Sequence, residues 1–336
     1  MNIDVHAHYI PPEIVDRIKE QGATYGVEIA EWVSDGPRLR LGRESQPIRP
    51  ITTELRDLSD RQNRLKESKI HQQILSTWLD IVGYMLPVEE GCKWSRALNQ
   101  CMGEEIRLRN QGGTFKATAT VPLQDGARAA EELEFAMKEC GLNGVIIGSN
   151  IQGKNLDDPS LRPFWKAAEK LKSPIILHPC NPLGLERLGS YFLTHLVGLL
   201  ADTTVAAACL YFGGVIDRFP DLKIILCHGG GFLPYQLGRL TRGREIREDL
   251  QKATRMLGRD VVAWFYYDTI VFDPKILEFL VSEAGADHVL LGSDCPFGIG
   301  DPHPTRVVEQ AGLSADQRER IFSHNALRLF GINAQI

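Results

Sequence analysis

The chain has 336 residues, of which 43% are hydrophobic, 24% charged and 8% aromatic, a profile that excludes collagen, coiled coil and a disordered chain. Its 38 Lys plus Arg stand against 43 Asp plus Glu, and the resulting net charge of -5 argues against a nucleic-acid or anionic-membrane surface as partner. Seven scattered cysteines without a Cys-x-x-Cys pair argue against a zinc ribbon or dithiol redox centre and are read as reduced, cytosolic thiols.

The opening residues, MNIDVHAHYIPP, carry neither a basic n-region nor an apolar h-region, so no signal peptide is expected and residues 3–6 form the first expected strand. Residues 24–53, rich in Gly, Pro, Arg and short β-prone pieces, break the later pattern and predict a small β insertion over one end of the fold. From there short apolar runs recur at 70–77, 115–121, 144–148, 174–178, 223–228, 262–268 and 289–294. Amphipathic stretches lie between and after them, among them 126–140, 161–171, 274–283 and 314–330, the last opening on the capping-box sequence S-A-D-Q. The apolar stretch 193–216 is interrupted by His195, Asp202 and a Thr pair and reads as a buried helix, not a membrane span. Eight strands alternating with helices predict a (β/α)8 TIM barrel, one continuous domain over 1–336, with the insertion after its first strand.

Polar groups of one kind close several of these runs. His6 and His8 form H-x-H at the end of the first, a spacing of two that points both imidazoles to one side of an extended chain. His178 ends S-P-I-I-L-H, His228 ends L-K-I-I-L-C-H, and Asp294 ends H-V-L-L-G-S-D. In a parallel barrel all of these meet at the C-terminal face of the strands, where active sites are built. Three imidazoles and a carboxylate suit a divalent transition ion, zinc first, with a water completing its shell. The fourth strand ends in I-I-G-S without a lysine or acid, which favours a single ion over two and leaves His228 for proton transfer. The H-G-G-G that follows is not an esterase oxyanion hole, because no G-x-S-x-G elbow is present, and its glycines are expected to let backbone approach the site.

With I-D-V-H-A-H, V-P-L-Q-D, L-H-P, L-K-I-I-L-C-H-G-G-G leading to L-G-R, L-L-G-S-D-C-P-F and N-A-L-R-L-F-G, the chain resembles the metal-dependent decarboxylase branch of the amidohydrolase superfamily from first strand to last helix. Within that branch it is most similar to the 2-amino-3-carboxymuconate-6-semialdehyde decarboxylase family. The resemblance implies zinc on His6, His8, His178 and Asp294, with manganese or another divalent ion as alternatives, and His228 as the group that moves a proton. It further implies that Arg49 and Arg239 hold substrate carboxylates, that Phe297 lines the pocket, and that the active unit is a homodimer in which Arg239 crosses to the neighbouring site.

The implied activity is non-oxidative decarboxylation, with Asp294 a second candidate proton donor. The substrate is an unsaturated or aromatic carboxylic acid, such as 2-amino-3-carboxymuconate semialdehyde or an ortho-hydroxybenzoate. The alternative is a hydrolase or hydratase of the same superfamily, acting on a lactone or an unsaturated diacid. Cys180 and Asn181 stand where the family has Trp-Asp, and Tyr191-Phe192-Leu193-Thr194-His195 replaces Y-W-L-P-W, so the pocket wall differs while the metal-binding pattern is kept.

Overall fold

The computed structural model describes residues 1–43, 45–109 and 113–332; position 44 of the expected insertion and the end of the expected domain, 333–336, lie outside it. Among the described residues there are ten strands: β1 (Ile3–Tyr9), β2 (Val27–Val33), β3 (Gly36–Leu41), β4 (Gln72–Thr77), β5 (Phe115–Ala117), β6 (Val145–Gly148), β7 (Pro174–His178), β8 (Lys223–Leu226), β9 (Tyr266–Asp268) and β10 (Val289–Leu290). All but β2 and β3 run parallel, in the orders β1-β4-β5 and β10-β9-β8-β7-β6.

Backbone contacts join the two sheets at both edges. Ala119 bridges Val145 beyond β5, with Ala119 N–H donating to Gly144 O at 2.8 Å and Ile146 N–H to Ala119 O at 2.9 Å. At the other edge Ala7 bridges Cys295, and Val5 and His8 donate to Leu291 O and Cys295 O at 2.9 and 2.7 Å. The eight parallel strands therefore close into the expected TIM barrel. Because its strands are covered on both faces, β6 and β7 are buried along their whole length and read as unbroken apolar runs. Each fully buried Ile or Leu there stabilises the fold by about 1.5–3 kcal/mol.

Helices on the outside start and stop where their sequences direct. Asp125 and Asp273 cap Gly126–Lys138 and Pro274–Ala284 by accepting two backbone N–H groups each. Ser314 and Gln317 form the reciprocal capping box, and Gly331, in a left-handed conformation, ends the last helix. Residues 27–41 form an antiparallel hairpin, β2 with β3, whose Val27, Leu39 and Leu41 pack with Ile10, Ile14 and Trp94 in a second apolar cluster.

Two expected elements differ. The run 262–268 divides: Gly258–Val262 is a short helix and only Tyr266–Asp268 is strand, because both bury apolar side chains and the period alone does not separate them. The stretch 193–216 is helical, but its Thr194–Phe212 window is only 39% buried, and by length and composition alone it passes as a membrane span. Its inner face packs on the barrel while Leu196 and Val197 remain exposed, so the expectation of a buried helix is corrected.

Candidate metal centre and substrate cavity

The strand ends assemble the site. β1 delivers His6 and His8, β7 ends on His178, and Asp294 follows β10; their candidate ligand atoms all lie within 4.8 Å of one another, and all four residues are buried. His8 Nε2 is 3.2 Å from His6 Nε2, and Asp294 Oδ1 is 3.2 Å from His8 Nε2 and 3.4 Å from His6 Nε2. Ligands held tetrahedrally at zinc distances stand about 3.3 Å apart, so these spacings are those of an ion's coordination shell. Asp294 Oδ1 is a buried acceptor with no hydrogen-bond partner, which is costly for a carboxylate oxygen unless a cation faces it. The donor set thus fits a divalent ion.

Neighbouring groups prepare the imidazoles as electron-pair donors. His6 Nδ1–H donates to Asp268 Oδ2 at 2.7 Å and His178 Nδ1–H to Pro179 O at 2.9 Å, which leaves each Nε2 lone pair turned inward. Burial pushes the His8 imidazole down to about 4 and that of His178 well below its ordinary value, so both are neutral. Burial opposes ionisation of Asp294, but the closely facing imidazoles of His228, His6 and His8 outweigh it and hold the carboxyl well below the usual range. Burial likewise opposes charging of His6, while Cys227, Asp268 and Asp294 drive its proton affinity up; a point that attracts a proton this strongly also attracts a metal cation.

His228 stands at the rim. Its Nε2 is 3.6 Å from Asp294 Oδ2, and its ring centroid is 5.2 Å from those of His6 and His178. Both His228 (φ 57°) and Asp294 (φ 59°) have left-handed backbone, a conformation that costs non-glycine residues energy and that here turns two strand-end side chains into one site. Of the glycines after His228, Gly231 brings backbone to the cavity wall as expected, and the run has a second use. A Cβ on Gly230 would meet Tyr267 at 2.6 Å and one on Gly231 would meet Leu200 O at 2.2 Å, so they seat the turn on the barrel.

Above the cluster lies a cavity of about 1090 Å³, walled by Trp78, Leu79, Tyr84, Ile270 and Phe297, with His178, His228 and Asp294 at its floor. Phe297 links floor to wall, its ring 5.1 Å from His8 and 5.8 Å from Trp78. Arg49 lies 4.9 Å over Trp78 and 5.8 Å from Phe297, and its Nε and Nη2 both donate to Asp80 Oδ2 at 3.2 Å. Cys180, Asn181 and His195 line the same cavity. Arg239 does not; it is exposed on the helix Leu233–Ile246 and has no side-chain ion pair among the described residues. His71 and His288 bond to backbone elsewhere.

Three acids that position or line the site escaped the sequence reading. Asp268 closes a buried run as the candidate metal ligands do, so the same rule could have found it. Asp4, which accepts from Gln73, Ser293 and the His6 N–H, is hidden as a lone acid inside an apolar strand. Asp80 sits in a short turn after β4 and carries no pattern of its own.

Comparison with known proteins follows the same line. The family described as "Amidohydrolase" matches residues 85–332. The chain is 31% identical to the 2-amino-3-carboxymuconate-6-semialdehyde decarboxylase of Dictyostelium discoideum, over 99% of this chain and 92% of that one. It is 30% identical to the gamma-resorcylate decarboxylase of Polaromonas sp., over 84% and 90%. A crystal structure of dihydroxybenzoic acid decarboxylase from Polaromonas sp., with bound manganese and the inhibitor 2-nitroresorcinol, matches with a TM-score of 0.79 at 25% identity, over 99% and 98% of the two chains.

Proposed function

The chain belongs to the amidohydrolase family and is a carboxy-lyase of its decarboxylase branch, and from that premise we propose that it is a metal-dependent, non-oxidative decarboxylase. Its substrate is an unsaturated or aromatic carboxylic acid with a neighbouring hydroxyl or amino group, such as an ortho-hydroxybenzoate or 2-amino-3-carboxymuconate semialdehyde. The observation that carries this reading is the placement of His228 Nε2, 3.6 Å from Asp294 Oδ2, at the edge of a four-residue metal-binding cluster that opens into an aromatic-walled cavity.

His6, His8, His178 and Asp294 hold the ion, zinc by ligand type, with manganese, as in the Polaromonas structure, the alternative. When bound, it supplies Lewis acidity toward a substrate oxygen. The residues do the rest. Phe297 and Trp78 flank a planar substrate and exclude water, and Arg49 supplies positive charge that orients the anion. Breaking the bond to the carboxyl carbon releases carbon dioxide and leaves an electron pair on the substrate carbon, which then takes one proton. His228 Nε2 is the group assigned to deliver it, and Asp294 Oδ2, 3.6 Å away and ionised, can relay a proton only after first taking one.

A homodimer completes the site. Tyr235, 80% exposed, lies one helical turn before Arg239 on Leu233–Ile246, and Phe279, also exposed, has its ring 6.5 Å from that of Tyr235, so the two form an exposed apolar face. A second copy covering that face brings Arg239 toward a neighbouring cavity. Seven free cysteines suit the cytoplasm for this assembly.

Carbon dioxide release from a panel of ortho-hydroxybenzoates and 2-amino-3-carboxymuconate semialdehyde, with Asp294→Ala as control, tests the reaction. Release from one compound and none from the control is expected; no release from any compound by metal-loaded protein overturns it.

A further inference from the structure

The cavity above the candidate metal cluster is larger than the chemistry at its floor requires. Cavities of about 300–1,000 Å³ take drug-sized ligands, and at about 1090 Å³ this one has room well beyond a single benzene ring and its carboxyl group. Its lining runs from buried residues, such as His178, Leu79 and Tyr84, to exposed ones, so the cavity leads from the cluster out to solvent. The outer part is apolar. Met85, Leu185, Phe192, Leu196, Phe272 and Ile276 all line it and are between 40% and 57% exposed. Scattered apolar side chains are ordinary on a surface, whereas a set gathered around one opening marks a binding groove.

Backbone geometry marks the same opening. Phe192 (φ 59°) and Phe272 (φ 58°) both have left-handed backbone, which costs a bulky residue energy, so two rings are kept at the opening against solvent and backbone preference alike. Charge is scarce around them. Among the described residues Arg49, Asp80 and Asp294 are the only arginine, lysine or acidic side chains of the lining; Asp294 belongs to the floor, and Arg49 donates to Asp80. Gln152 and Asn181, the exposed amides beside the opening, are neutral. A charged extension of a bound ligand would lose its hydration there without gaining a partner, while a hydrocarbon extension gains by burial.

We propose that the cavity takes aromatic acids bearing an extended hydrocarbon substituent, the carboxyl end toward the cluster and the chain along Leu185, Phe192, Leu196, Phe272 and Ile276. This deepens the reading of the cavity as an aromatic-acid site and rests on it. Of the substrates named above, it selects alkyl-substituted hydroxybenzoates over 2-amino-3-carboxymuconate semialdehyde, which has no apolar chain to place in the outer part.

Calorimetric binding of methyl- and butylbenzoates, substituted at the 3- or the 4-position, to zinc-loaded protein tests it. Each methylene buried in the channel should tighten binding about threefold, so in at least one series butyl should bind more than about tenfold tighter than methyl. Phe192→Asn with Phe272→Asn removes the two rings with a residue that tolerates left-handed backbone, so melting should not fall. In that variant methylbenzoate should bind as before while the butyl advantage drops below about threefold. Leu196→Asn, at an exposed position, should reduce the advantage independently. A ratio near one in both series, as when a second copy of the chain fills the opening, overturns the proposal, and so does a ratio unchanged in both variants. Failure of every benzoate to bind overturns it together with the aromatic-acid reading, whereas carbon dioxide release with no chain-length effect overturns the proposal alone.

Discussion

His6 Nδ1 lies 2.7 Å from Asp268 Oδ2, joining two residues that are 262 positions apart in the chain. Asp268 Oδ2 also accepts the backbone N–H of His228 at 2.9 Å, and Oδ1 accepts that of Gly229 at 2.8 Å. One buried carboxylate therefore sets the tautomer of an imidazole in the candidate metal cluster and anchors the strained turn that carries His228, the proposed proton-transfer group.

Replacing Asp268 tests that double role. Asp268→Asn keeps the shape and an acceptor but loses the charge that favours a proton on His6 Nδ1, and should weaken metal binding about 10- to 100-fold. Titration against a competing chelator reads the change, and an unaltered affinity would show that Asp268 does not tune the site.

His228→Ala separates holding the ion from moving the proton. With four ligands intact, metal content should stay at that of the wild type while turnover falls about 10²- to 10⁴-fold. Metal analysis alongside the assay decides; loss of the ion would make His228 a ligand instead.

Removing the ion should destabilise the fold as well as stop the reaction. The native cluster binds the cation and the unfolded chain does not, so ion at about 100 times its dissociation constant contributes about 2.7 kcal/mol, or a melting shift on the order of 5 °C. Differential scanning with and without chelator measures it, and coincident melting curves would mean that no ion is held in the cluster.

Arg239→Ala subunits mixed with Asp294→Ala subunits test the shared site. Random pairing in a two-fold dimer leaves one complete site in half of the assemblies, so activity should recover to about a quarter of wild type. Two inactive parents that stay inactive after mixing would place each site within one chain.

The barrel was legible because its parallel strands are buried on both faces, so that 174–178 and 223–228 stand out as unbroken apolar runs between amphipathic helices. The same burial made His6, His8, His178 and Asp294 conspicuous, since a polar group ending such a run needs a partner, and parallel strands bring their ends to one face. Ser314 and Gln317 were readable for a local reason, their bonds closing within one helical turn. What the tertiary structure alone decided is pairing across distance and direction. Asp268 meets His6, Asp80 meets Arg49, and the left-handed turns at His228 and Asp294 aim two side chains at one another, none of which leaves a mark in local periodicity. The helix Thr194–Phe212 shows the limit most plainly: hydropathy reports that a side chain is apolar, but which face the barrel covers depends on how many neighbours the fold supplies.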